Sequence, residues 1–317
     1  MQTPPTTTLT PERKEAARRF LLERAHPLEA ALFRRHFEGG SDESVLTALA
    51  RHQNDDGGFG HALEPDLRAP ESSAIAMSIA LEELRKIGAV GSSSMAGRAF
   101  DWLARTFIES MPGWRIAPLA VESSPHAPWW NQTGRATNYD QFSLNPTAEL
   151  LGFAYERPGA LSSEIVERVA AAVARELSKS ATLEMHDVLC CLRLLASPGI
   201  PPPLFAALHS KLAATLDAVV VRDPAKWHEY GLRPLQVVDG PSSVFFRSFE
   251  SDIRANLDFE LAAQQPDGSW QPTWSWGGAY PDAWPAAQRE WAGVLTLKAL
   301  VTLHRFGRLP IDRPRTR

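Results

Sequence analysis

The feature that most constrains this chain is an alternation between two kinds of helix-period segment. Phe249, Ile253, Leu257 and Leu261 recur every fourth residue, with Asp252, Arg254 and Glu260 on the other faces, so this helix is covered on one side only. The same one-sided pattern is carried by Ile165, Val169, Val173 and Leu177, and more loosely by Phe100, Leu103 and Phe107 and by Val45, Leu46 and Leu49. Each such segment is followed by one that is apolar nearly all round, at residues 74–84, 144–155, 188–195 and 291–303. A helix apolar on every face has to be buried on every face. Half-buried helices each feeding a fully buried one require two layers, an outer and an inner. About six such couples fit the chain, the first spanning residues 12–37 and the last but one 202–238. Period-two alternation is weak throughout, so the expected fold class is all-α.

Composition restricts the function classes. A formal charge of −4 over 317 residues gives no basic footprint for nucleic acid. No run approaches the roughly 18 consecutive apolar residues that a spanning helix needs, although an apolar patch would allow peripheral membrane contact. Residues 1–10 are rich in Pro and Thr, without the basic flank and apolar run of a secretory signal. The two cysteines, Cys190 and Cys191, adjoin inside an apolar helical stretch and read as reduced packing residues, so a cytoplasmic location is expected. One helical domain over 11–308 is expected, between a flexible start (1–10) and a flexible end (309–317).

Two outer-to-inner junctions are related. Gln53-Asn54-Asp55-Asp56-Gly57-Gly58-Phe59 matches Gln264-Gln265-Pro266-Asp267-Gly268-Ser269-Trp270, both reading Q-x-x-D-G-x-aromatic. The Asp-Gly pair supplies the left-handed residue that stops a helix, and the aromatic folds back as a plug. The Gln amide can bond backbone groups left free at a neighbouring helix end. These motifs resemble the Gln- and aromatic-containing repeats of squalene-hopene and oxidosqualene cyclases and the Q-x-x-D-G-G-F of protein prenyltransferase beta subunits. The resemblance covers residues 45–85 and 257–303 most strongly. It implies an alpha-alpha toroid of the terpenoid cyclase and prenyltransferase superfamily, in which the repeat staples helices together and carries no catalysis.

If outer helices run one way and inner helices the other, every outer-to-inner connection lies at one mouth of the ring. Those connections are long, at roughly residues 57–71, 110–145, 221–248 and 268–284, and long loops are where function concentrates. They hold Trp114, Trp129, Trp130, Trp227, Trp270, Trp274, Trp276 and Trp284, with Tyr139, Tyr230 and Tyr280. Aromatic rings stabilise carbocations and stack equally on the apolar faces of sugars.

Glu64 and Asp66, in His61-Ala62-Leu63-Glu64-Pro65-Asp66-Leu67-Arg68, precede an inner helix and are the expected acid and its partner. An ion pair of Asp66 with Arg68 is the structural alternative. The expected substrate-binding residues are His61, Arg68, Trp114, Trp129, Trp130, Trp227, His228, Glu229, Tyr230, Trp274, Trp276 and Trp284. The resemblance implies an isoprenoid substrate, cyclised or isomerised by acid catalysis. The D-x-D-D and D-D-x-x-D patterns of the terpene cyclases are both missing, however. Prenyltransferase beta subunits bind zinc through Asp, Cys and His, but His186 and Cys190 do not keep that spacing, so no metal and no cofactor is expected. Two alternatives stand beside this reading. A glycosidase or lyase would draw its carboxylates from Glu64, Asp66, Asp140, Glu229, Asp282 and Glu290 and would need two of them about 5 to 10 Å apart. A non-catalytic ring would bind a lipid or a protein. In prenyltransferases the beta subunit works with a partner subunit, so the resemblance leaves a partner open here.

Overall fold

A computed structural model describes residues 7–133 and 139–310. Its regular structure is helical, and among the described residues no strand forms beyond isolated β-bridges. The helices are α1 (Pro11–Glu23), α2 (Pro27–Phe37), α3 (Asp42–Leu49), α4 (Ala74–Lys86), α5 (Ser94–Thr106), α6 (Leu144–Glu156), α7 (Ser163–Lys179), α8 (Met185–Leu195), α9 (Pro202–Val219), α10 (Pro234–Val237), α11 (Phe246–Ala263) and α12 (Trp284–Arg305). No helix is long and apolar enough to cross a membrane.

The one-sided and all-round patterns have the burial they predict. Helix α7 buries one stripe, Val169, Ala172, Val173 and Leu177, and α11 buries Phe249, Ile253, Asn256, Leu257 and Leu261. By contrast, α6 buries every residue from Pro146 to Ala154, while α8 buries Val188, Cys190, Cys191, Leu194 and Leu195 and leaves Arg193 exposed. Side-chain caps set several starts. Ser73, Ser93, Ser143 and Ser162 each accept a backbone N–H of the first turn that the helix leaves unpaired.

The chain divides into two compact units. One comprises residues 49–219 and 276–283. In it α6 packs against α4 and α8, while α7 packs against α9, so successive fully buried helices are neighbours. The other comprises residues 1–48, 220–275 and 284–317, and there α12 packs against α1 and α2, and α10 against α11. The N-terminal segment is anchored in this second unit. Leu9 is buried and its N–H donates to the Arg308 carbonyl, and Thr10 caps α1. Of the ends expected to be flexible, 1–10 and 309–317, residues 1–6 and 311–317 lie outside the described residues.

Both Q-x-x-D-G motifs form the same staple, one in each unit. Gln53 Nε2 donates to the carbonyls of Gly57 and Met95 (both 3.0 Å). Gln264 Nε2 donates to those of Gly268 (3.0 Å) and Arg13 (2.9 Å). An arginine of the helix being gripped returns the contact to each glutamine Oε1, Arg98 from α5 and Arg13 from α1. Asp56 and Asp267 accept the N–H two residues on, from Gly58 and Ser269. Gly57 and Gly268 have φ of 87° and 93°, and Phe59 and Trp270 are buried plugs. The first motif thus grips α5 from the turn at residues 53–58, and the second ties the end of α11 to α1.

The cysteines are free and buried. Burial raises both thiols, that of Cys191 to about 12, and Cys190 Sγ donates to Asn145 Oδ1 at 3.5 Å.

Candidate functional site

The site grows out of the first staple. Beyond Phe59 the chain makes a loop over residues 61–69 whose neck is closed by His61 N–H donating to the Ala69 carbonyl at 3.1 Å and by Gly60 N–H donating to that of His52 at 3.0 Å. Gly60 is required there, since a Cβ would sit 2.3 Å from the Pro70 carbonyl oxygen and 2.4 Å from that of Glu71. His61 and Ala62 enter the loop with φ of 50° and 57°, a left-handed conformation that non-glycine residues adopt at a cost.

This loop turns both predicted acids inward. Glu64 is 7% exposed and Asp66 2%. The Glu64 carboxyl is pushed well above the usual carboxylate range, first by burial and then by the neighbouring Asp66 charge; the backbone N–H of Asp66, which it accepts, pulls the other way more weakly. Asp66 Oδ1 accepts the indole N–H of Trp276 at 2.6 Å.

A second segment lies along the loop. Ala127 N–H donates to the Asp66 carbonyl (2.8 Å) and Arg68 N–H to the Pro125 carbonyl (3.1 Å), so residues 125–127 run antiparallel to residues 66–68 through the Leu67–His126 bridge. The buried His126 ring meets Asn131 Oδ1 through Nε2 at 2.7 Å. The same ring packs on Tyr280, with centroids 5.2 Å apart, and Tyr280 in turn packs edge-on against Trp276 at 6.3 Å. A circuit closes from Asp66 through Ala127, His126, Tyr280 and Trp276 back to Asp66. Tyr280 has φ of 44°. The three non-glycine residues with positive φ among the described residues are thus His61, Ala62 and Tyr280, two at the mouth of the acid loop and one in this circuit.

The remaining predicted residues divide. Trp129 and Trp130 form a single turn directly after Ala127, Trp129 39% exposed and Trp130 7%, so this motif adjoins the acid pair. His61 is exposed and its Nε2 meets Asn54 Oδ1 at 2.8 Å, which directs it to the staple. Trp114 is buried on Phe107 and donates its indole N–H to the Leu103 carbonyl.

Trp227, His228, Glu229, Tyr230, Trp274 and Trp284 belong to the other unit. There Trp227 is buried, donating to the Val221 carbonyl and packing with His228 on Phe259. Glu229 is exposed and Trp284 half-buried, and Tyr230 meets Trp274 edge-on at 5.7 Å. Sequence reasoning passed over His126, whose one local signal was its place between prolines just before the Trp129-Trp130 pair. Tyr280 it named only among the loop aromatics. No group of three or more His, Cys, Asp or Glu among the described residues is arranged to hold a metal ion.

No protein-family model matches the chain, and no curated protein matches it. Among solved structures, a protein from Actinoplanes is similar over 93% of this chain and 99% of its own, with a TM-score of 0.52 at 17% identity. At that identity the likeness concerns the fold alone.

Proposed function

We propose that the chain is an acid–base enzyme that isomerises an apolar, isoprenoid-like molecule by proton transfer at Glu64 and Asp66. The observation that carries this reading is the burial of two carboxyls in one strained loop beneath the indole of Trp276. Neighbouring buried carboxyls favour sharing a proton, and burial together with the Asp66 charge holds the Glu64 carboxyl above the usual carboxylate range. Glu64 then gives its proton to one carbon of a double bond, and the Asp66 carboxylate takes one from the allylic carbon. The double bond moves by one position, and the proton count of the pair is unchanged. Cyclisation is the same sequence with a carbon–carbon bond formed before the proton is lost. The rings of Trp276, Tyr280 and Trp129 supply the apolar and cation-stabilising surroundings such an intermediate needs. The glycosidase alternative draws less support, since its carboxylates must flank a bond from opposite sides, whereas these two adjoin on one short loop.

The test is turnover in heavy water. Purified protein incubated with prenyl alcohols and aldehydes should introduce deuterium into the product, read by mass spectrometry. Asp66→Asn and Glu64→Gln should each lower that incorporation at least about a hundredfold, the usual worth of a positioned acid or base, while circular dichroism stays unchanged. Incorporation retained in both variants, or thermal stabilisation by oligosaccharides and not by prenyl compounds, removes the proposal.

A further inference from the structure

The turn that follows Ala127 holds a donor with nothing to donate to among the described residues. Trp130 is more than nine-tenths buried, and its indole N–H is enclosed without a hydrogen-bond partner among the described residues. An unpaired buried donor is costly, and native structures rarely keep one without a reason. The other tryptophans of this unit for which a hydrogen bond is resolved all spend the group: Trp102 on Asp56, Trp114 on Leu103 and Trp276 on Asp66. Trp130 is also held in place. Its backbone N–H closes the turn onto the Ala127 carbonyl, its ring stacks on Tyr139 with centroids 6.2 Å apart, and Asn131 next to it is fixed by His126. Ala127 is itself bonded to the Asp66 carbonyl. The donor is therefore carried on the turn that follows the segment paired with the acid loop.

We infer that the Trp130 indole N–H receives an oxygen of the substrate, so that the molecule taken by this site is an isoprenoid-like compound bearing a carbonyl conjugated to the double bond that shifts. This rests on the acid–base reading above, narrows its substrate and replaces the cationic intermediate by a dienolate, with Asp66 acting before Glu64. The chemistry is self-consistent. A carboxylic acid held protonated by burial is a weak acid, poorly matched to an isolated double bond but well matched to one polarised by a conjugated oxygen. As Asp66 takes the proton from the allylic carbon, the electron pair moves toward the carbonyl oxygen and charge develops there, where a preplaced N–H stabilises it. Glu64 then protonates the dienolate at the carbon beside the carbonyl. The double bond ends one position along, and no oxidant or further reactant is consumed.

The test compares geranial with myrcene, a hydrocarbon of the same carbon skeleton, in wild type and in Trp130→Phe, by isothermal titration. Geranial should bind wild type about tenfold tighter than myrcene, the worth of one net hydrogen bond to an enclosed donor, and Trp130→Phe should bind the two alike. Because the variant could fail to fold, the Trp130 indole proton is also followed in wild type by nitrogen-edited nuclear magnetic resonance. Geranial should move it downfield, and myrcene should not. Equal binding of both compounds with an unmoved indole proton overturns this inference and leaves the acid–base reading standing. Binding of neither compound defeats the isoprenoid reading and the inference together.

Discussion

Replacing Gly57 by alanine tests the staple and separates two costs that usually arrive together. Gly57 sits at φ 87° and a Cβ there would lie 2.4 Å from the Arg98 carbonyl oxygen and 3.0 Å from its carbon. Arg98 lies within α5, so the obstacle is helix backbone, which cannot swing aside as a side-chain tip can. Gly159, in the same unit, has φ 84° and nothing within 4 Å of its Cβ position. Gly159→Ala therefore has only the left-handed conformation to bear, about 1–2 kcal/mol. Gly57→Ala bears that and the forced separation of the turn from α5, a further 1–3 kcal/mol or so by analogy with overpacked cores. At about 2–4 °C per kcal/mol for a unit of this size, Gly159→Ala should lower the melting temperature by roughly 2–8 °C and Gly57→Ala by roughly 4–20 °C. Both variants should be melted side by side, with tryptophan fluorescence and circular dichroism as two probes, because a chain of two compact units need not unfold in one step. Equal melting temperatures for the two variants would refute the claim that the turn is docked on α5.

Two further outcomes concern the acid loop. Glu64 has a folded pKa raised above its ordinary value of 4.5, so its contribution to stability is complete below that pH and declines as the pH climbs toward the folded value. Glu64→Gln, which cannot ionise, should gain on wild type in melting temperature as the pH is raised above about 4.5, and a difference that stays constant with pH would contradict the assignment. Trp276→Phe should cost about 1.5–3 kcal/mol in urea unfolding, since it leaves the buried Asp66 carboxylate short of its 2.6 Å donor. In a double-mutant cycle with Asp66→Asn, coupling below about 0.3 kcal/mol would show that the contact is energetically empty.

Much of the helical framework was legible because it is written in local periodicity. The apolar stretch at 144–155 became α6 (Leu144–Glu156), and the couple expected over 12–37 became α1 and α2. The couple over 202–238 was legible only in its first half. Helix α9 ends at Val219 and its successor is the four-residue α10, because Pro224 and Pro234 cannot donate to a helical ladder and Trp227 draws the segment between them onto Phe259. The two D-G motifs gave the staple down to its glutamine amide, since a turn that needs a left-handed glycine leaves few alternatives. The candidate site was legible only in its acids. Its other members come from segments near 126 and 280, and their meeting is fixed by how the unit packs. No periodicity encodes that His126 lies on Tyr280 or that Ala127 bonds to Asp66.

The staple and the site are connected through backbone strain. A left-handed histidine followed by a left-handed alanine would relax if the loop around them were free, so something must hold residues 61 and 62 in place. Beyond the neck itself, holding contacts come from Asn54 of the staple and from His52 just before it. His52 Nδ1 meets the His61 carbonyl at 3.0 Å, Asn54 Oδ1 meets its ring at 2.8 Å, and Asn54 Nδ2 donates to the Pro70 carbonyl at 2.9 Å on the far side of the neck. Gln53, Asn54 and Asp56 thus act on both sides, gripping α5 through Gln53 and Asp56 and closing the acid loop through Asn54. A motif that only joined helices would have no use for a strained continuation. That continuation carries Glu64 and Asp66 to a buried position that a relaxed loop, free to turn its carboxyls to water, would abandon.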